Sequence, residues 1–167
     1  MKSTDGYDHT PEGAVATDLI LAVFRLNGDL LRAGDELIAD LNLTSARWQV
    51  LGAIGMSDEP QPVANLSRGM GLTRQAVQRV ANELESEGFV AYTTNPRHRR
   101  AKLVVLTERG TRAIRAAAKR QIPWINELVT GLSMRDIRCA LRVARALDEK
   151  LNAAAPPPAA SLMRRTR

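Results

Sequence analysis

Five polar side chains recur on one face of a predicted helix between residues 74 and 82. Arginine, glutamine and asparagine form bidentate hydrogen bonds with guanine or adenine edges in the major groove of DNA, and arginine also contacts phosphates. Apolar residues at helical spacing occupy the opposite face and are predicted to lie in the core: Val77, Val80, Ala81 and Leu84. The polar face therefore points outward, and its members are Arg74, Gln75, Gln78, Arg79 and Asn82.

A shorter helix precedes this one and is joined to it by a tight turn. The segment from Pro62 to Met70 has apolar residues at helical spacing, and Gly71 can adopt the positive φ that such a corner often needs. Thr73 is predicted to cap the second helix, because its hydroxyl can accept a hydrogen bond from an unpaired backbone N–H. Thr73 also lies where the polar face begins, so it joins the candidate DNA contacts.

A basic loop then separates two predicted strands. The segments 89–94 and 103–107 are rich in β-branched or aromatic residues, and the loop between them opens with the turn signal Asn95-Pro96. The loop contains no acid and four fixed positive charges, which are Arg97, Arg99, Arg100 and Lys102. The whole pattern predicts a mainly α fold with a small β-hairpin wing, a winged helix-turn-helix that grips duplex DNA.

The distribution of charge favours the same interpretation. The chain has a formal net charge of +6, and residues 68–102 alone carry seven basic and three acidic residues, a net of +4. Aromatic residues make up only 4% of the chain and none lies in the basic loop, which disfavours single-stranded nucleic acid. The chain has no apolar run long enough for a membrane span and no signal-peptide pattern, so we expect a cytoplasmic protein without a membrane partner.

The string GLTRQAVQRVANELESEGFVAYTTNPRHRRAKLVVLTERG resembles the recognition helix and wing of the MarR family of bacterial transcriptional regulators. The wing of that family usually reads Asp-Pro-x-Asp-Arg-Arg-Ala, and this chain keeps Arg99-Arg100-Ala101 but has Asn95 and His98 at the two acidic positions. In the family the second acid helps to hold a wing arginine. His98 either donates to phosphate instead, which would strengthen DNA binding at lower pH, or is an ordinary exposed loop histidine.

The resemblance implies a homodimer in which terminal helices of two copies intertwine. It further implies a repressor of a pseudo-palindromic operator, released when a small aromatic or phenolic ligand binds between the DNA-binding lobe and the dimer helices. Trp48 and Arg47 lie on the helix that would line this crevice, although Trp48 could be plain core. The candidate dimer contacts are Leu19, Val23, Leu26, Ile137, Leu141, Ala144, Leu147 and Leu151.

These expectations divide the chain into five segments. We predict a flexible N-terminal arm (1–16), an N-terminal dimerisation helix (17–43), the winged helix-turn-helix lobe (44–107), C-terminal dimerisation helices (108–152) and a flexible Pro/Ala-rich basic tail (153–167). Thr44, Thr107 and Ser133 are predicted to begin helices.

Three other functions remain to be weighed. A nonspecific architectural DNA-binding protein would share the basic wing, and a winged helix can also serve only protein contacts. An enzyme is disfavoured, since the chain lacks a glycine-rich phosphate loop and zinc-like spacing, and its two histidines, His9 and His98, fall in predicted loops. We therefore expect no cofactor and no metal, interpret Glu83, Glu85 and Glu87 as a solvated helix face, and expect Cys139 to be a partly buried helix cysteine.

Overall fold

The structure of the protein is a computed structural model that describes residues 9–98 and 100–154. Within these residues the chain forms six α-helices and one small antiparallel sheet, which confirms the predicted fold class. The elements in chain order are α1 (Pro11–Leu37), α2 (Ser45–Gly55), β1 (Gln61–Pro62), α3 (Val63–Gly69), α4 (Arg74–Ser86), β2 (Val90–Thr93), β3 (Leu103–Leu106), α5 (Glu108–Leu128) and α6 (Met134–Ala154).

Helix α1 begins earlier than the sequence analysis predicted. The side chain of Thr10 accepts a hydrogen bond from the backbone N–H of Gly13 at 3.0 Å, and Pro11 occupies the first helical position, where its missing N–H costs nothing. The predicted arm is therefore wrong for residues 11–16, which are helical, while residues 1–8 lie outside the described part. At the other end α6 continues to Ala154, and the rest of the predicted tail lies outside the described residues.

The core forms where α2, α3 and α4 pack with the sheet. The predicted inner face of α4 is confirmed, because Val77, Val80, Ala81 and Leu84 are all buried. The predicted caps are confirmed as well: Thr44 accepts from the N–H of Arg47 and Thr73 from that of Ala76. Gly71 has φ +64, the conformation that its predicted role in the corner requires.

The wing is a hairpin with a third, very short strand at its edge. The strand order is β1-β3-β2, with Tyr92 opposite Val104 in the hairpin and Gln61 opposite the same Val104 on the other side. β1 was not predicted. Pro62 lacks a backbone N–H, and an edge position is where a strand tolerates that loss.

Two helices follow the wing. The hydroxyl of Thr107 accepts from the N–H of Gly110 at 3.1 Å, and that of Ser133 accepts from the N–H of Asp136 at 3.0 Å, so both predicted caps are confirmed. The chain divides into two compact units after Trp124, within α5. Across residues 9–98 and 100–154, no helix combines the length and apolar character that crossing a membrane requires.

Candidate nucleic-acid interface

The outer face of α4 presents the polar side chains that the sequence analysis selected. Arg74, Gln75, Arg79 and Asn82 are exposed, and Gln78 is half-buried. Thr73 is also exposed, with its hydroxyl accepting from the N–H of Ala76 at 3.2 Å. One helix face thus collects hydrogen-bond donors and acceptors of the kinds that contact base edges.

Gln78 and Asn82 are held by a tyrosine from the wing. The Nε2 atom of Gln78 donates to Asn82 Oδ1 at 2.9 Å and to the Tyr92 hydroxyl at 2.7 Å. The Tyr92 hydroxyl in turn donates to Asn82 Oδ1 at 2.9 Å. The three side chains, which we call the amide triangle, close a ring of hydrogen bonds between α4 and β2.

The Tyr92 hydroxyl keeps its proton at neutral pH. Burial raises its pKa above the ordinary value of 10.0, and the charge of Glu85 adds to the increase, while the hydrogen bond from Gln78 opposes it. Tyr92 was not among the predicted site residues. Part of the signal lies in the spacing, because Tyr92 follows the buried Val90 by two residues along a strand and so lies on the same face of the sheet.

Arg79 is engaged by an acid on its own helix. Its Nη1 atom lies 2.7 Å from Glu83 Oε1, one helical turn away, and both groups are largely exposed. Such surface pairs contribute only about 0–1 kcal/mol, so a phosphate or a base can replace Glu83 at little cost. On the acidic face that was predicted to be solvated, Glu83 pairs with Arg79 and Glu87 pairs with Arg47, and both carboxylates stay partly exposed.

Asn95 organises the tip of the wing. It is buried, and its Oδ1 atom accepts hydrogen bonds from the backbone N–H groups of Arg97 at 2.9 Å and His98 at 3.2 Å. An aspartate, the usual residue at this position in the resembling family, could accept the same hydrogen bonds. The amide oxygen of Asn95 accepts them without a negative charge. Arg97, His98 and Arg100 are exposed on this turn, and Arg99 lies outside the described residues.

An open cleft of about 690 Å³ lies between the tip of the wing and the segment that leads into α3. Its lining includes Gln61, Asn65, Asn95 and Arg97. Trp48 and Arg47, the predicted ligand contacts, do not line it. Within the described part of the chain, no group of three or more His, Cys, Asp or Glu side chains could hold a metal ion.

Arg47 connects α2 with the end of the recognition helix. Its Nη1 atom donates to the carbonyl of Asn42 at 3.2 Å, its Nη2 atom lies 2.6 Å from Glu87 Oε1, and its guanidinium carbon lies 5.7 Å from the centre of the Phe89 ring. The contact with Glu87 is an ion pair, and among the described residues the buried Nε atom of Arg47 has no acceptor. Trp48, beside it, is half-buried against the core.

The predicted dimer contacts fall on two helices with apolar exposed faces. Leu19, Val23 and Leu26 are exposed on α1. On α6, Leu141, Ala144 and Leu151 are exposed, and Ile137 and Leu147 are half-buried. Cys139 is exposed on α6, so the expectation of a partly buried cysteine is wrong.

Comparison with known proteins gives the family. The sequence profile of the MarR family matches residues 41–101. An uncharacterized protein of Mycobacterium tuberculosis is 41% identical over 114 residues, which cover 68% of this chain and 78% of the relative. The chain belongs to the MarR family. The transcriptional activatory protein BadR of Rhodopseudomonas palustris is also similar, with 27% identity over 131 residues that cover 74% of this chain and 72% of BadR.

Solved structures share the fold. CouR from Rhodococcus jostii RHA1, bound to p-coumaroyl-CoA, superposes with a TM-score of 0.70 and 23% identity over 79% of this chain and 92% of CouR. A mutant MarR from E. coli in complex with operator DNA gives a TM-score of 0.71 and 21% identity over 78% and 93% of the two chains. This chain is a DNA-binding transcriptional regulator of the MarR family, built on a winged helix.

Proposed function

We propose that this MarR-family regulator is a homodimeric repressor that binds a pseudo-palindromic operator and leaves it when a small aromatic or phenolic ligand binds. The observation that supports this most is the outward polar face of α4, followed directly by a wing whose tip exposes Arg97 and Arg100. Two such lobes spaced about one DNA turn apart, ~34 Å, would place both recognition helices in successive major grooves. The wings then reach the flanking minor grooves.

The exposed apolar face of α1 supports the dimer. Phe24 is 68% exposed and Leu26 is 55% exposed, and the neighbouring turns expose further aliphatic side chains: Leu19, Ile20, Val23 and Leu30. Contiguous apolar surface of this kind usually marks a protein–protein interface. A second copy of the chain is the partner we propose for it.

Arg47 supports a ligand that carries an acceptor group. Its Nε atom is buried without an acceptor among the described residues, and an unpaired buried donor is costly unless a partner arrives. CouR, which has the same fold, is bound to p-coumaroyl-CoA in its crystal structure. Any effector must bind the released conformation more tightly than the DNA-bound one, because equal affinity would shift nothing.

A second candidate function is activation of transcription. It is favoured by the similarity to BadR, which is an activatory protein. Transcript levels of the genes beside this regulator, measured with and without its gene, distinguish the two. Increased transcript in the deletion strain supports repression, and decreased transcript supports activation.

The direct test is fluorescence anisotropy of the purified protein on the duplex upstream of its own gene, against a shuffled duplex, across a salt series. We expect a preference of about 10³ or more for the native duplex, with affinity falling steeply between about 50 and 200 mM salt. Replacing Arg97 and Arg99 by alanine should weaken binding to both duplexes and flatten the salt dependence. Replacing Gln78 by alanine should mainly reduce sequence preference.

Each rival function predicts a different result of the same experiment. Equal affinity for native and shuffled duplexes supports a nonspecific architectural protein, and the absence of salt-dependent binding supports a protein-interaction module. Our proposal includes no enzymatic activity and no cofactor, and it places the protein in the cytoplasm, where a bacterial regulator meets its operator.

A further inference from the structure

The amide triangle changes which atoms of α4 are free to contact DNA. Both N–H groups of the Gln78 amide are occupied, one by Asn82 and the other by the Tyr92 hydroxyl. Asn82 Oδ1 accepts from Gln78 and from Tyr92. The groups left for DNA are the Gln78 oxygen and the Asn82 nitrogen, so the triangle leaves Gln78 no free N–H for a bidentate contact with adenine.

The position of Tyr92 is fixed by the sheet rather than by the recognition helix. Its backbone pairs with Val104, which is fully buried, and its ring packs against the core. Its hydroxyl is therefore positioned by the sheet and not by α4. The hydroxyl is protonated at neutral pH, since burial only raises its pKa above the ordinary 10.0, and it can donate to Asn82 while it accepts from Gln78.

We propose that Tyr92 is a positioning residue for sequence recognition, which holds Gln78 and Asn82 as one composite reader with a single acceptor and a single donor group. This inference deepens the proposed function and rests on the recognition of DNA by α4. Because the two amides are already restricted before DNA binds, less side-chain conformational entropy is lost on binding. Bases opposite these two residues should be recognised jointly, because moving either amide disturbs the other.

The test is selection of duplexes from a randomised library, followed by sequencing, for the full-length wild-type protein, four single variants and the Tyr92→Phe/Gln78→Ala double variant. Tyr92→Phe keeps the ring and removes only the hydroxyl. Gln78→Ala and Asn82→Ala remove the two amides. Gln75→Ala is the matched control, because Gln75 is an exposed amide on the same helix that does not belong to the triangle.

We expect Tyr92→Phe to reduce discrimination by about three- to tenfold at the same base positions that Gln78→Ala and Asn82→Ala affect, as the loss of one or two neutral hydrogen bonds would. Positions lost in Gln75→Ala should keep their preference in Tyr92→Phe. The salt dependence of Tyr92→Phe should match that of the wild type, since the hydroxyl neutralises no phosphate. Tyr92→Phe and Gln78→Ala should be non-additive when combined.

Other outcomes overturn the inference. If Tyr92→Phe selects the wild-type motif with equal or higher affinity, the triangle is a resting arrangement that DNA breaks. If it lowers preference evenly at all positions, its role is only structural. If the wild type itself enriches no motif, the proposed sequence-specific function fails, and the role of Tyr92 fails with it. If the wild type enriches a motif that Tyr92→Phe keeps, only the role of Tyr92 fails.

Discussion

Arg47 is a single residue that joins three parts of the DNA-binding lobe. Its side chain is 14% exposed, and it contacts the Asn42 carbonyl, the Glu87 carboxylate and the Phe89 ring. Arg47→Ala removes all three contacts, so we expect the free energy of unfolding to fall by about 1–3 kcal/mol in urea denaturation at fixed protein concentration. Arg112→Ala is the control, because its ion pair with Glu108 is exposed and should contribute less than about 1 kcal/mol. Equal losses in the two variants would contradict a structural role for Arg47.

Asn95 acts on the wing through one oxygen atom. Asn95→Ala leaves the backbone N–H of Arg97 without its acceptor, while the N–H of His98 keeps only the Asn95 carbonyl at 3.3 Å, so the tip should lose part of its fixed shape. We expect operator affinity, measured by anisotropy, to fall by about three- to tenfold. Asn95→Asp keeps the oxygen and should stay closer to the wild type than Asn95→Ala does. If the aspartate variant binds as weakly as the alanine variant, the turn is not what Asn95 contributes.

At the scale of elements, the contact between α1 and α2 depends on a glycine. A Cβ added at Gly34 would lie 2.5 Å from Ser45 Oγ, which cannot move freely because it donates to the Leu31 carbonyl at 2.7 Å. Gly34→Ala should therefore destabilise the protein by about 1–3 kcal/mol. Gly28, on the same helix, has open space around its Cβ position, and Gly28→Ala should stabilise the protein by about 0.5–1 kcal/mol. Thermal unfolding should shift in opposite directions, and shifts of the same sign would contradict this account.

Local signals predicted most of the elements, and nonlocal contacts account for what was missed. Helix starts were predicted at Thr44, Thr73 and Thr107, because a cap depends on residues only three positions apart. The Thr10-Pro11 start of α1 carried the same kind of signal but was interpreted as part of a loop. β1 was not predictable in this way, since its pairing with Val104 depends on the folded sheet.

The candidate site divides along the same line. The outward face of α4 and the basic wing follow from helical spacing and charge, so both could be selected from the sequence. The Tyr92 contact with Gln78 and Asn82, and the Arg47 contact with Glu87, join residues from different elements. Helical periodicity cannot supply such contacts, because they depend on how the elements pack.

At the scale of the whole molecule, the exposed apolar faces of α1 and α6 predict that the chain forms a dimer in solution. Leu19→Glu combined with Leu26→Glu places two charges on the α1 face, and burying an unpaired charge in an interface is strongly unfavourable. In sedimentation equilibrium we expect the wild type to have about twice the 18.3 kDa mass of the chain and the variant to have the mass of one chain. Leu141→Glu tests the α6 face in the same way.

Met56→Glu is the matched control for these variants, because Met56 is 87% exposed at the end of α2 and lies outside both apolar faces. It should remain dimeric, while circular dichroism should show helix content retained in every variant.

Monomeric variants should also lose about 10²-fold or more in operator affinity, because a linked second lobe makes the second half-site contact intramolecular. A monomeric wild type, or a Leu19/Leu26 variant that stays dimeric, would contradict the proposed interface. If a variant stays dimeric but binds DNA weakly, the loss of affinity arises in α4 or the wing and not from the loss of the dimer.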